Sequence, residues 1–347
     1  MSYIIRLKSE INALEWDSLV AAAGQGGYFA LTPWLNGVES IGKWNLKDYS
    51  FAVLNNNRFC AVVPLHWDEK NKSLLSSGWG WSGPIFLESS KKLSNLVFDY
   101  IDGLALSLKA KSVKLGMQGV VGELLNNNGI NPWVYYGYND ISSHTQILKL
   151  QNKTVDELWM DLSQTARQTI KKAEKSCYVE LVDWKEHLEN YYALHKLTYQ
   201  KSKLQPHPFA YFNLITNLSK DNHKLFAVFN QNKEVLAYHN DLYYKKTVFY
   251  HTASSSDYGN TIGAHYLLTW NAIKFAKENN CEFYEFGEVV FDNNTKAQQI
   301  SFFKTRFGGE LYRLYRAEKK YIPSPKKDAF IKCLRSVKNF TLELIRF

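Results

Sequence analysis

Phe51-Ala52-Val53-Leu54-Asn55-Asn56-Asn57, followed by Ala61-Val62-Val63, returns about half a chain later as Phe226-Ala227-Val228-Phe229-Asn230-Gln231-Asn232, followed by Val235-Leu236-Ala237. Each copy reads as a strand, an Asn-rich turn and a second strand. Further along, each copy has an apolar helical stretch and then a short strand that ends in glycine. These strands are Val113-Lys114-Leu115-Gly116 in the first copy and Phe283-Tyr284-Glu285-Phe286-Gly287 in the second. The repeating unit is too long for a solenoid repeat and is read as two copies of one α/β domain. The competing reading, two unrelated hairpins, predicts no equivalence between their places in the sheets.

A length of 347 residues suffices for two domains that each bury a core. Aromatic residues make up 15% of the chain, with 22 Tyr and 10 Trp, a supply of side chains that can line a groove while offering a polar end. The net charge of +9 favours anionic ligands over cationic ones, although a basic surface with no dedicated partner is equally consistent. Cys60, Cys177, Cys281 and Cys333 lie far apart without metal-type spacing, which fits free thiols in a reducing compartment and no metal site. No signal-peptide pattern and no membrane-spanning apolar run is seen, so a cytoplasmic protein is expected.

Residues 8 to 24 and 32 to 41 read as short helices, the second opening at Thr32-Pro33-Trp34 with proline in the first turn. The segment Ser76-Ser77-Gly78-Trp79-Gly80-Trp81-Ser82-Gly83-Pro84 is a tight loop that can stand Trp79 and Trp81 on a cleft wall, or pack them onto the domain. Thr154-Val155-Asp156-Glu157 is a capping box that starts a helix. From Ser163 to Lys175 the chain continues as a basic helix, where Arg167, Lys171 and Lys175 share a face that could grip phosphates or simply be solvated.

In the second copy, the strand from Glu234 to Tyr244 turns at Lys245-Lys246 into Thr247 to Ser254. Alternation along a two-residue hairpin puts His239, Asp241, Tyr250 and Thr252 on one face, with Asn240 and His251 on the other. So much polarity at a sheet centre signals a wet cleft or a buried network. The next turn, Asp257-Tyr258-Gly259-Asn260-Thr261-Ile262-Gly263-Ala264, lies between a strand and a helix from His265 to Asn279. Such a turn can hold a phosphate on backbone amides of Gly259, Asn260, Thr261, Gly263 and Ala264, or merely serve as a turn and cap. Past the strand ending in Phe286-Gly287-Glu288, the run Ser301-Phe302-Phe303-Lys304-Thr305-Arg306-Phe307-Gly308-Gly309-Glu310-Leu311 interleaves aromatics with cations, unlike a plain strand.

The order of these pieces resembles the FemABX-like branch of the GNAT superfamily: Arg167-x-x-Ile170-Lys171-Lys172-Ala173, the hairpin, Ala253-Ser254-Ser255, the Gly-bearing turn and Phe303-Lys304-x-x-Phe307-Gly308-Gly309. The likeness covers roughly residues 25 to 320, and Phe-Lys-x-x-Phe-Gly-Gly is its most specific part. It implies a mixed α/β (α+β) fold of two tandem GNAT-like domains, each a mostly antiparallel mixed sheet flanked by helices. Residues 1–150 would form the first, 151–320 the second with the acyl-donor site, and 321–347 a basic helical tail. That tail, with Phe330, Leu334, Val337 and Leu344 at helical spacing, could pack on the protein or touch an anionic membrane.

The resemblance also implies amide formation by attack of an amine on an activated acyl group. The preferred reading is an N-acyltransferase using acyl-coenzyme A as co-substrate and a nucleotide-linked amino sugar as acceptor, for surface polysaccharide. The alternatives are transfer from aminoacyl-tRNA to a peptidoglycan precursor, and a non-catalytic module that binds a nucleotide-linked glycan. Asn260-Thr261-Ile262-Gly263-Ala264 keeps only part of the GNAT pyrophosphate pattern. His251, His239, Asp241 and Glu288 are candidate bases, with His251 preferred. Lys304 is the candidate for the oxyanion or a phosphate, and Trp79, Trp81, Arg167, Lys171 and Phe303 are candidates for substrate contact.

Overall fold

The computed structural model describes residues 3–78, 80–118, 129–201, 203–220, 222–291 and 296–321. Trp79 and all of the predicted tail beyond residue 321 lie outside them. Among the described residues, no helix is long and apolar enough to cross a membrane.

The second half is built on a seven-stranded sheet ordered Cys177–Val182, His223–Asn230, Val235–Tyr244, Thr247–Ser255, Phe283–Val289, Ser143–Lys149, Glu310–Leu314. Neighbours are antiparallel except Thr247–Ser255 and Phe283–Val289, which run parallel and pair only at Thr247 with Phe283, Val248 with Tyr284 and Phe249 with Glu285. Past that point the two strands are no longer paired. Irregularities flank the parting: His251 is an extra residue opposite the Asn240–Asp241 step, and Gly287 has φ +74°.

The first half repeats this plan. Tyr3–Leu7 pairs with Phe51–Asn55, which forms a hairpin with Arg58–Val63. That strand continues through Pro64 into His66–Asp68, which pairs with Ser73–Leu75. Ser73–Leu75 lies parallel to Ser112–Gly116, as Thr247–Ser255 lies parallel to Phe283–Val289. The hairpins beginning at Phe51 and Phe226 therefore hold the same place in their sheets, beside an antiparallel first strand. The repeat seen in the sequence is a repeat of architecture.

Each unit lends the other a strand. Ser143–Lys149, on the early side of residue 150, pairs with Phe283–Val289 and Glu310–Leu314 in the second sheet. In the first unit, Arg316–Lys320 fills the equivalent place beside Ser112–Gly116. A shared core closes the joint, where Trp16, Tyr28, Phe29 and Trp34 pack with Tyr191, Tyr211, Phe212 and Leu242. Lys245, at the hairpin turn, donates to the carbonyl oxygens of Val20 and Ala23 at 3.3 and 2.9 Å and so caps the helix Ala13–Ala22 of the other unit. Separate cores lie under Lys91–Ser107 in the first unit and Ala264–Glu278 in the second.

The aromatic and basic run before Gly308 is the last turn of a helix, Lys296–Thr305. Gly308 and Gly309 follow with φ +79° and +87°, and a Cβ on Gly309 would collide with the carbonyl oxygen of Ile147. The turn thus brings the helix back against the lent strand. Gly309→Ala combines a left-handed backbone with a backbone clash. It should lower stability by about 1–3 kcal/mol or more, read as an earlier midpoint in urea unfolding with the circular-dichroism spectrum of the folded protein unchanged.

Candidate active site

Where Thr247–Ser255 and Phe283–Val289 part, a cleft of about 350 Å³ opens between the units. Tyr250, His251, Glu285 and Glu288 line it from the second sheet, while Phe29, Trp81 and Gln118 face them from the first unit. Arg316, the first residue of the lent strand, closes one side. A gap between parallel strands leaves backbone groups without a ladder partner and exposes side chains from the middle of a sheet.

The cleft carries a compact set of charges. Glu285 is buried between the core residues Tyr284 and Phe286, and its carboxylate accepts the Thr145 hydroxyl at 2.8 Å. Burial pushes this carboxyl up to about 7, against the pull of Thr145, Lys304 and Arg316. Lys304 is also buried, and its ammonium donates to the backbone oxygen of Glu288 at 2.8 Å. Burial brings it down to about 8, although Glu285 and Glu288 favour its charge. The Glu288 carboxylate pairs with Arg316 at 2.8 Å, and the guanidinium lies 4.9 Å from the centre of the Trp81 ring. Burial alone would raise Glu288, but Ser143, Arg316 and Lys304 outweigh it and hold the group below the ordinary carboxylate value. One carboxyl and one amine that exchange protons near neutrality can serve as base and as electrostatic stabiliser in a single site.

Several predicted site residues have other employment. His251 is on the cleft wall, but its Nε2 is 2.9 Å from the Tyr211 hydroxyl and its Nδ1 is 3.3 Å from the Asn240 amide. Burial, with His223 and His207 nearby, pushes its pKa well below the ordinary histidine value, so it stands as a neutral ring and a poor proton acceptor. His239 and Asp241 form a fully buried pair at 2.6 Å, and the Tyr284 hydroxyl also bonds Asp241 at 2.9 Å. This pair lies inside the sheet and does not line the cleft. The bulge at His251 corrects the expected facing of Thr252, which lies opposite Asn240 and bonds the Tyr191 hydroxyl at 2.7 Å.

Arg167 donates to the carbonyl oxygens of Met160 and Leu162 at 2.9 and 2.5 Å, so it caps the helix Val155–Asp161 rather than facing substrate. Lys171 lies 5.9 Å from the Trp159 ring centre, outside the cleft. Phe303 packs on Tyr266 and Phe307 at 4.9 and 5.1 Å. The expected phosphate turn is largely a short helix, Asp257–Ile262, in which Gly259 N donates to Ser256 Oγ, Asn260 N to Ser256 O and Gly263 N to Asn260 O. Thr169 packs against Gly263, so Gly259, Asn260, Thr261 and Gly263 do not form an open cradle, and Ala264 instead begins the helix Ala264–Glu278.

Of the predicted residues, the structure brings together Trp81, His251, Glu288 and Lys304. It adds Glu285, Gln118, Thr145 and Arg316, which were missed. A carboxylate in the apolar run Phe283-Tyr284-Glu285-Phe286 was a readable signal for the first of these. The others depend on which strands become neighbours.

A family model described as an acetyltransferase (GNAT) domain matches residues 161–295, a span that holds the hairpin, His251, Glu285 and Glu288. A crystal structure of FemX is similar over 92% of this chain and 98% of its own, with a TM-score of 0.70 and 17% identity. A tandem GNAT protein from the clavulanic acid biosynthesis pathway is similar over 93% and 99%, with a TM-score of 0.59 and 10% identity. This chain has the FemABX-like tandem-GNAT fold. L-PGS from Bacillus licheniformis shares it over 88% of this chain and 91% of its own, with a TM-score of 0.55 and 14% identity. No curated protein sequence matches. The matched GNAT domain supports an acyltransferase.

Folding lifts the Glu285 carboxyl from 4.5 to about 7. Between these values the folded protein keeps a proton that the unfolded chain has released, so this group's contribution to stability falls as pH rises through that window. Glu285→Gln removes the dependence. The variant's unfolding free energy should gain on that of the wild type between pH 5 and pH 8, by at most about 3 kcal/mol, and free energies that run parallel across that range would contradict the assignment.

Proposed function

We propose that this protein makes an amide by moving an acyl group from acyl-coenzyme A to the amine of a nucleotide-linked amino sugar. The observation that carries the reading is the burial of Glu285 and Lys304 together beside a cleft opened by parting strands. The neutral amine attacks the thioester carbonyl, a C–N bond forms and the C–S bond breaks. The amine proton passes to the Glu285 carboxylate, and the thiolate leaves and takes up a proton. Lys304, still largely protonated near neutrality, offsets the charge of the tetrahedral oxygen. An amino-sugar amine titrates close enough to neutrality for a carboxylate of this basicity to suffice. The overall charge of +9 suits an acceptor carried on phosphates.

A second reading, aminoacyl transfer from tRNA in the FemABX manner, is favoured by one observation. The Gly259, Asn260 and Gly263 amides that would hold a coenzyme A pyrophosphate already donate within the short helix. Purified protein can be assayed with acetyl-coenzyme A and, separately, with aminoacyl-tRNA, against UDP- and dTDP-linked amino sugars and a UDP-linked peptidoglycan precursor. In the productive pair, Glu285→Gln should lower kcat by about 10²- to 10⁴-fold, and Lys304→Met by about 10²- to 10³-fold. Turnover only with aminoacyl-tRNA would replace the first reading by the second. A Glu285→Gln enzyme with full kcat would remove the carboxyl from the chemistry under either.

A further inference from the structure

Thr145 is fully buried on the strand Ser143–Lys149, and its hydroxyl donates to Glu285 Oε1 at 2.8 Å. Among the described residues, no other hydrogen bond reaches that carboxylate. A fault in the ladder accompanies this contact. Thr145 is paired with Glu288 and Ile147 with Glu285, so two steps of one strand span three of the other, and the surplus falls where Gly287 turns left-handed. The hydroxyl thus meets Glu285 and not its register partner Glu288. Between Thr145 and Ile147, Gln146 Nε2 donates to the Gly308 carbonyl oxygen at 2.6 Å, which braces the strand against the turn that follows the Lys304 helix.

A carboxylate withdrawn from water favours its protonated form, and a protonated carboxyl cannot take a proton from an attacking amine. Some contact must therefore keep Glu285 ionised near neutrality. The charged and titratable groups around it are Lys304 from its helix, Arg316 from the strand Arg316–Lys320, Glu288 on its own strand, and Tyr250 and His251 on the strand that parts from it. Lys304 and Arg316 act on Glu285 through space, and both also serve Glu288. Thr145 bonds the carboxylate directly, and hydrogen bonds to an ionised acceptor are among the stronger ones. The same bond fixes the direction in which the carboxylate faces. We propose that Thr145 is a positioning residue for the reaction, its hydroxyl holding the Glu285 carboxylate ionised and in one orientation beside the cleft. This rests on the reading of Glu285 as the base that takes the amine proton.

Carboxyl-carbon NMR of the whole protein reads Glu285 directly, its resonance being the one lost in Glu285→Gln. The titration midpoint of that resonance should rise by about one to two pH units in Thr145→Val and return to the wild-type position in Thr145→Ser, which keeps the hydroxyl. The wild-type group is half ionised near pH 7. On the productive substrate pair, kcat of Thr145→Val should therefore be about 5- to 50-fold lower at that pH, and its ratio to the wild type should recover as the pH is raised. Thr145→Ala serves the same measurements if the valine variant does not fold. An unmoved midpoint, or a loss of kcat that is equal at every pH, would assign Thr145 to structure and overturn the proposal. So would a Thr145→Ser variant that matches Thr145→Val. A Glu285→Gln enzyme with full kcat would instead overturn the base reading, and the positioning role with it, even where the midpoint moves.

Discussion

Thr247–Ser255 and Phe283–Val289 run parallel, pair at only three positions and then separate, and the working parts of the molecule are arranged around that separation. A continued ladder would have sealed Glu285 into a sheet interior and left no room for a substrate. The irregularities on either side keep it open: the extra residue at His251 increases the local twist of one strand, and Gly287 turns the other in a left-handed conformation. On the far side, the register of Ser143–Lys149 shifts between Thr145 and Ile147, which sets the Thr145 hydroxyl on Glu285.

The electrostatics follow from this geometry. A carboxylate and an ammonium withdrawn from water each lose hydration, so each moves toward its neutral form. The Thr145 hydrogen bond, Lys304 and Arg316 limit the movement of Glu285, Glu285 and Glu288 limit that of Lys304, and both groups come to rest near neutrality. Arg316 and Glu288 form a second, partly exposed pair at the rim. Four charges thus occupy one region without leaving net charge buried. That is the condition under which ionisable groups persist in a cleft of low polarity.

Strand exchange makes the cleft a property of the whole chain. Arg316 reaches the site only because its strand belongs to the first sheet, and Thr145 only because its strand belongs to the second. The shared aromatic core and the Lys245 cap hold the units at a fixed spacing, so Trp81 and Gln118 face Glu285 across a constant gap. Tandem units joined by a flexible linker would lack this fixed geometry. Here the interface is packed like the interior of a domain.

Local pattern alone carried a good deal. The paired hairpins, the Lys245-Lys246 turn with φ of +46° and +58°, and the Thr154–Glu157 capping box were all legible, because each depends on residues a few positions apart. The first copy's strand ends at Gly116 as read, whereas the second runs on past Gly287 to Val289. Sequence could not tell that Arg167 would cap a helix, that His239 and Asp241 would bond inside the core, or that a bulge would turn Thr252 to the face of Asn240. Nor could it show Gln118 opposite Glu285, since that meeting needs two units and two lent strands to assemble first. Periodicity and turn chemistry act over a few residues and were fixed by the sequence on its own. Burial, proton affinity and the choice of strand partners arise between segments more than a hundred residues apart, and only tertiary packing decided them.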